Sequence, residues 1–424
     1  MNKSTIILLL YCAWLSNDSE CINSSSCFKT MALIGACIKP LHSNSSSSFL
    51  KHIRTLGLRA VRSVSLPLGF FSNAGQSVLR NNFRSNILEQ KLSSTVPTSC
   101  HGESNPLLLL EDANFPRYDE VGAHHIKSGI SALIHQTEQN LLAFEKDLAA
   151  SDTMPAHLFL KRLETVPDAL SRAWGVCSHL KAVRDSEDFR LAYDEMQPQY
   201  VALSLKLSQS VPIFQALKAI RSSSSWDSLP ESQRRIIESE IQEAELSGVG
   251  LRGAEKLRFN EIETELAKLS TQFSNNLLDA TKAFSLRLTR SEEVSGLPQS
   301  ALSLAAQIAR GLGDAEATAE RGPWILTLDM PLYLPAMQYA RDRSLRERLF
   351  RAYQTRASEL DEATRDNTPV ALRILVLRRE RAQLLGMANH VEVSMATKMA
   401  TPEAALALVE RLRAAAWPAA QREL

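Results

Sequence analysis

Cysteine is nearly missing from most of this 424-residue chain. Cys12, Cys21, Cys27, Cys37 and Cys100 fall in the first hundred residues, and only Cys177 lies beyond them. The body therefore cannot close an internal disulfide, which fits a reducing compartment. Glycine (16) and proline (17) are sparse, which excludes collagen-like and low-complexity chains. No apolar run is longer than the one from residue 6 to residue 15, too short to cross a bilayer. No membrane span is expected. Basic charge is also short in the body, where 38 Lys/Arg face 44 Asp/Glu over residues 101–424. That balance argues against a nucleic-acid surface of the usual strongly basic kind.

Acid is what the leader lacks. Residues 21–88 contain no Asp or Glu, but they hold Lys29, Lys39, Lys51, Arg54, Arg59, Arg62, Arg80, Arg84 and thirteen serines. Basic, serine-rich and acid-poor is the composition of a mitochondrial or chloroplast transit peptide. Residues 52–62 have the pattern of a short amphipathic helix of the kind import receptors read. The alternative is a plain disordered tail, which rarely excludes acids for so long. Lys3 followed by the apolar run 6–15 has the look of a secretory signal. Met31 opens a second, cleaner transit-like stretch and is read as the translation start, with residues 1–30 as an upstream extension. Residues 1–100 are thus assigned to a targeting segment for mitochondrion, chloroplast or both.

Beyond residue 105 the pattern is helical. Ile126, Ile130, Leu133, Ile134, Leu141, Phe144 and Leu148 recur near the helical period. Ser228 and Glu231 have capping-box spacing before Ile236, Ile237 and Ile241. Ile262, Leu266, Leu269, Phe273, Leu277, Ala280 and Phe284 predict one long helix that buries one face. Thr368 before Pro369 and Thr401 before Pro402 predict two helix starts, and Gly386 predicts the stop of the first. Strand signals are confined to residues 284–288 and 324–328, after which Pro331 and Pro335 are expected to break the chain. Residues 222–225 and 311–322 read as soft joints. The fold class expected is mostly α with a few short strands.

Chemistry-bearing motifs are scarce. Gly248, Gly250 and Gly253 match a GxGxxG pattern, but residues 236–246 before it read as a helix. A dinucleotide fingerprint needs a strand there, so the expectation is a glycine hinge between helices. His124 and His135 are about three helical turns apart, too far to share one ion, and with His125 they read as surface or helix-start residues. His390, Val391 and Glu392 do not form HExxH, because the glutamate does not directly follow the histidine and no second histidine comes after. Cys177 and His179 read as a buried thiol and its neighbour rather than a nucleophile and base. Arg341, Arg343, Arg346, Arg348 and Arg351, interleaved with Asp342 and Glu347, read as a solvated, ion-paired helix face. No phosphate-binding P-loop and no GxSxG elbow occurs. The expected catalytic, cofactor-binding and metal-ligating residues are none.

Longer blocks carry more information. Residues 269–281, from Leu269 through Phe273, Asn275 and Asn276 to Thr281, resemble the long-helix signature of the oligopeptidase A and thimet oligopeptidase family of zinc metallopeptidases. Residues 324–329 followed by Tyr333, Leu334 and Pro335 resemble its central strand and turn. Residues 351–358, 384–389 and 396–400 resemble the segments that follow, in the same order and spacing. The resemblance covers residues 105–424, and with the leader in front it points to the plant organellar branch.

The resemblance implies a nearly all-helical, two-lobed fold, with residues 105–325 as an N-terminal helical domain and 326–424 as the opening of the catalytic one. It implies short unstructured peptides as substrates, cleaved targeting peptides among them, and a monomer. It also implies a zinc ion held by an HExxH helix and a further glutamate downstream. No HExxH occurs in the 424 residues. The chain is therefore expected to be the N-terminal part of such an enzyme, to bind no catalytic zinc and to cleave nothing. The alternatives are a truncated helical module that binds peptides or partners without hydrolysis, and a helical scaffold unrelated to peptides.

Overall fold

The computed structural model describes residues 105–110, 115–150 and 154–423. The targeting segment, the helix expected at 52–62 and the start at Met31 lie outside the described residues. Twelve α-helices and two short strands occur among those described. In chain order they are α1 (Ala123–Ala150), α2 (Ala156–Val183), α3 (Glu187–Ser208), α4 (Val211–Arg221), α5 (Glu231–Leu246), α6 (Gly253–Ala283), β1 (Leu286–Leu288), α7 (Gln299–Gly311), β2 (Trp324–Leu326), α8 (Met330–Tyr339), α9 (Arg343–Gln354), α10 (Thr368–Leu384), α11 (His390–Met395) and α12 (Pro402–Glu423). The fold is mostly α, as expected.

The described chain divides into two compact units, 105–270 with 376–399 and 271–375 with 400–423. In the first, α1 packs on α2 and α3. The stripe on α1 does this work. Ile126, Ile130 and Leu133 enter one apolar cluster with Leu170, Trp174, Cys177 and Leu180 of α2 and Phe189, Tyr193, Met196 and Leu203 of α3. Trp174 stacks between Tyr193 and Tyr200, with ring centroids 4.4 and 4.5 Å away. Leu141 and Phe144, further along α1, enter a second cluster with Phe159, Ile213, Leu217, Ile237 and Ile241. Each such side chain contributes about 1.5–3 kcal/mol by leaving water.

The second unit is built on small residues. Ala301, Ala305, Ala306 and Ala309 of α7 are buried against Leu288, Trp324, Leu326, Leu332, Leu345 and Leu349. Alanines on one helical face let the neighbouring elements approach closely. β1 and β2 pair antiparallel, with Leu286 opposite Leu326 and Leu288 opposite Trp324. Both strand expectations are met.

Three local expectations need correction. Ser228 does not cap α5. It sits in a 3-10 turn and donates its hydroxyl back to the Ser225 carbonyl at 2.6 Å, while Pro230 takes the cap position with no side-chain bond. Pro331 and Pro335 do not break the chain but lie inside α8. Pro331 sits in the first turn, where its missing N–H is an orphan anyway. Pro335 removes one helical bond in a helix that already buries Leu332, Tyr333 and Ala336. The long helix forms as a single element, but among its stripe residues only Ile262 and Ala280 are buried, and the middle ones are half-exposed.

The remaining boundaries agree. The Thr401 hydroxyl accepts from the Ala404 N–H at 3.2 Å at the head of α12. At the head of α10 the expected cap shifts: Thr368 is the first helical residue, and Asp366, two residues earlier, accepts from its N–H at 2.8 Å. Gly386 takes a left-handed φ of +72° after α10, and the Met387 N–H reaches the Ala382 carbonyl at 2.9 Å.

Candidate functional site

The glycine motif joins two helices. α5 ends at Leu246 and α6 begins at Gly253, with no strand before the loop. Gly248 and Gly253 take left-handed φ values of +78° and +54°. The Val249 N–H closes on the Ala244 carbonyl at 3.1 Å, and the buried Gln209 amide holds the Ser247 carbonyl and Asn260 Oδ1, both at 2.8 Å. Arg252 donates to the Val249 carbonyl at 2.8 Å. These bonds make the loop a fixed corner between helices, as the sequence context predicts.

His124, His125 and His179 have structural partners. His125 Nδ1 accepts from the Gly122 N–H at 3.1 Å and so satisfies a donor at the head of α1. His124 lies against the His125 ring, with centroids 3.8 Å apart. His179 packs edge-on to Tyr118. Cys177 is fully buried, and burial pushes its thiol up to about 12. A thiol held so far from ionisation is not a nucleophile at neutral pH.

His390 and Glu392 have separate roles. Asn389 Oδ1 accepts from the Val391 and Glu392 N–H groups at 2.9 and 3.2 Å, while Glu392 Oε2 accepts from the Ala388 N–H at 3.0 Å. Glu392 thus completes a reciprocal cap on α11. His390 lies among Arg378, Arg381 and Lys398, and burial together with these cations pulls its imidazole down to about 3. His390 Nδ1 and Arg381 Nε are buried with no hydrogen-bond partner among the described residues. Arg381 pairs with Glu263 at 2.8 Å, and Arg258 forks onto Glu380 at 2.6 and 2.8 Å. An imidazole ringed by three cations repels a metal ion.

The arginine-rich segment spans the head and body of α9. Arg351 pairs with Glu347 at 3.2 Å with both side chains exposed, and Arg346 donates to the Ala340 carbonyl. The face is largely solvated, as expected, and carries the Glu347–Arg351 pair, while Arg341 lies just before the helix.

Three of the recognisable blocks of sequence meet in the second unit. Asn276 donates to Asn367 Oδ1 at 3.0 Å, and Asn367 donates to the Phe273 carbonyl at 2.9 Å. The Asn367 N–H in turn holds the carbonyl of Ala357, which sits at a left-handed φ of +50°. Arg356 donates to the Thr281 hydroxyl at 2.7 Å and lies 3.6 Å over the Tyr353 ring, which stacks on Tyr333 at 4.1 Å. Residues from 269–281, 333–335 and 351–358 therefore share one polar and aromatic network. Asn367 was not singled out by sequence. Its only signal is an amide just before the Thr368–Pro369 helix start.

Known proteins share long stretches of this chain. The family model for the neurolysin/thimet oligopeptidase N-terminal domain matches residues 130–256, and that for peptidase family M3 matches 336–424. A probable cytosolic oligopeptidase A of Arabidopsis thaliana is 49% identical over 321 residues. The chain belongs to the M3 oligopeptidase family. An organellar, chloroplastic/mitochondrial oligopeptidase A of the same plant is 48% identical over 321 residues, and oligopeptidase A of Escherichia coli is 33% identical over 324. Each alignment covers 76% of this chain but only 44%, 39% and 46% of the relative. The chain spans less than half the length of these curated relatives.

The family implies a zinc ion. Among the described residues no group of three or more His, Cys, Asp or Glu is placed to hold a metal ion. The described residues do not fit zinc. No helix among them is long and apolar enough to cross a membrane.

Proposed function

We propose that the chain is the N-terminal portion of an organellar zinc metallo-oligopeptidase that hydrolyses short unstructured peptides, cleaved targeting peptides among them, and that on its own it cleaves nothing. The observation that carries the reading is a mismatch. The M3 match occupies residues 336–424, yet the 424 residues contain no HExxH. The zinc and the water-activating carboxylate would come from the part of the relatives' length that this chain does not match. In this reading residues 105–325 form the N-terminal domain and 326–424 open the catalytic one, and their role is to scaffold and bind rather than to react. The acid-poor leader and the organellar relative support import into mitochondrion, chloroplast or both. The enzyme acts as a monomer.

The test is hydrolysis of short quenched-fluorescence peptides by the purified chain with added zinc. The expected rate is that of buffer. Chelator-sensitive turnover by the chain alone contradicts the reading. A second reading, a non-catalytic module that binds a partner, is favoured by the exposed apolar residues of α12.

A further inference from the structure

The glycine corner between α5 and α6 is no dinucleotide fingerprint, yet it borders a cleft. The cleft lies between the corner and α4 and has a volume of about 350 Å³. That is near the lower end for small-ligand sites, about 300–1,000 Å³. Val211 and Phe214 of α4 and the buried Val249 of the corner give it apolar walls. Lys218 and Arg252 also line it, and among the described residues no carboxylate does. Uncharged groups hold both cations in place. The Lys218 ammonium lies 5.3 Å from the centre of the Phe214 ring. Arg252 Nη1 donates to the carbonyls of Val249 and Leu251 at 2.8 and 3.0 Å. Gly250 lines the cleft too, and its N–H has no hydrogen-bond partner among the described residues.

We propose that this cleft binds the C-terminal residue of a short peptide, an apolar side chain together with its free carboxylate. The lining selects that class of ligand. Two cations without a carboxylate, beside an unused backbone N–H, suit an anion. A bare inorganic anion would leave the walls of Val211, Phe214 and Val249 uncovered. A neutral apolar ligand would take two cations out of water with nothing to pair them. A ligand whose charge and apolar group are adjacent satisfies both halves of the cleft. Gln215 then separates a peptide from other apolar carboxylates. Its side-chain amide donates and accepts, which matches a peptide group and has no counterpart in a fatty acid. The inference goes beyond the peptidase reading and does not depend on it, because binding in the cleft requires no hydrolysis.

The experiment titrates the full chain into a fluorescent pentapeptide that ends in phenylalanine and reads polarisation. The same peptide with an amidated C-terminus is the comparison. The free acid should bind roughly tenfold more tightly than the amide, because only the acid meets the two cations. Lys218→Gln should remove most of that preference. Gly250→Leu should abolish binding by filling the cleft. Gly250 does not take a left-handed φ, and a Cβ added there meets no atom within 4 Å, so this variant keeps the urea midpoint of the chain. Lys218 is exposed on α4, so its variant keeps the midpoint as well. Equal affinity for acid and amide overturns the proposal, as does binding that ignores both variants. Decanoate that competes as strongly as the unlabelled peptide would make the site one for fatty acids and overturn the peptide assignment. Inorganic phosphate that competes equally well would reduce it to an anion site and do the same. No binding at millimolar protein overturns the cleft as a ligand site, while leaving the peptidase reading untouched.

Discussion

α1 and α12 carry apolar residues at the same helical spacing, yet α1 buries Ile126, Ile130, Leu141 and Phe144 completely while α12 leaves Leu408 and Leu412 in water. The period of a stripe specifies a helix and a face. Whether that face is covered depends on what the rest of the chain brings to it. For α1, the covering helices α2 and α3 follow directly in sequence. A similar contrast separates two polar clusters. Around Asn367 the amide donors and acceptors find partners across α6 and the head of α10. Around His390 an imidazole nitrogen stays unmatched among cations. A matched amide fixes a scaffold, and an unmatched imidazole makes its region sensitive to acid.

The sharpest way to break the first contrast is truncation. Phe144→Ala should cost about 3–5 kcal/mol in urea unfolding, whereas Leu412→Ala should stay within about 0.5 kcal/mol in the isolated chain. Equal losses would mean that α12 is packed after all. Asn367→Ala comes next. It removes the acceptor of Asn276 and the donor to the Phe273 carbonyl, and about 1–3 kcal/mol should be lost.

The His390 cluster predicts acid sensitivity. Its folded pKa lies below the ordinary histidine value, so the unfolded chain takes up the proton first as pH falls. Stability from this group is intact above about pH 6.5 and is lost as pH falls toward about 3, with a slope of up to about 1.4 kcal/mol per pH unit. In His390→Gln that slope should flatten. Urea midpoints for the two proteins that run parallel from pH 7 to pH 4.5 would rule it out. The smallest effect separates two apparent capping boxes. Glu392→Ala should cost about 1 kcal/mol through the lost cap on α11, and Ser228→Ala less than about 0.5 kcal/mol, because its hydroxyl caps nothing.

Much of the architecture is legible in the sequence. Periodic leucines and isoleucines marked α1 and α6, glycine marked the end of α10, and two short apolar runs marked β1 and β2. Those signals are local, and local physics decides them. Ser228 misled because capping-box spacing does not reveal that the preceding turn captures the hydroxyl first. Pro335 misled because packing of Leu332 and Tyr333 offsets a lost helical bond. The half-exposed middle of α6 was invisible because a periodic stripe does not say what lies opposite it. The surroundings of His390 come from Arg378 and Arg381, a helix away in sequence, and Asn367 gains its role from Phe273 and Asn276, some ninety residues earlier. The family itself was readable from residues 269–281 and 351–358 because long blocks keep their order where single residues carry little.

The central claim is that this chain is part of a longer peptidase. It is tested most directly by the mass of the native protein, detected with an antibody raised against α6. A mature species much heavier than 47.0 kDa is predicted. A species lighter than that, trimmed only of its leader, would contradict the claim.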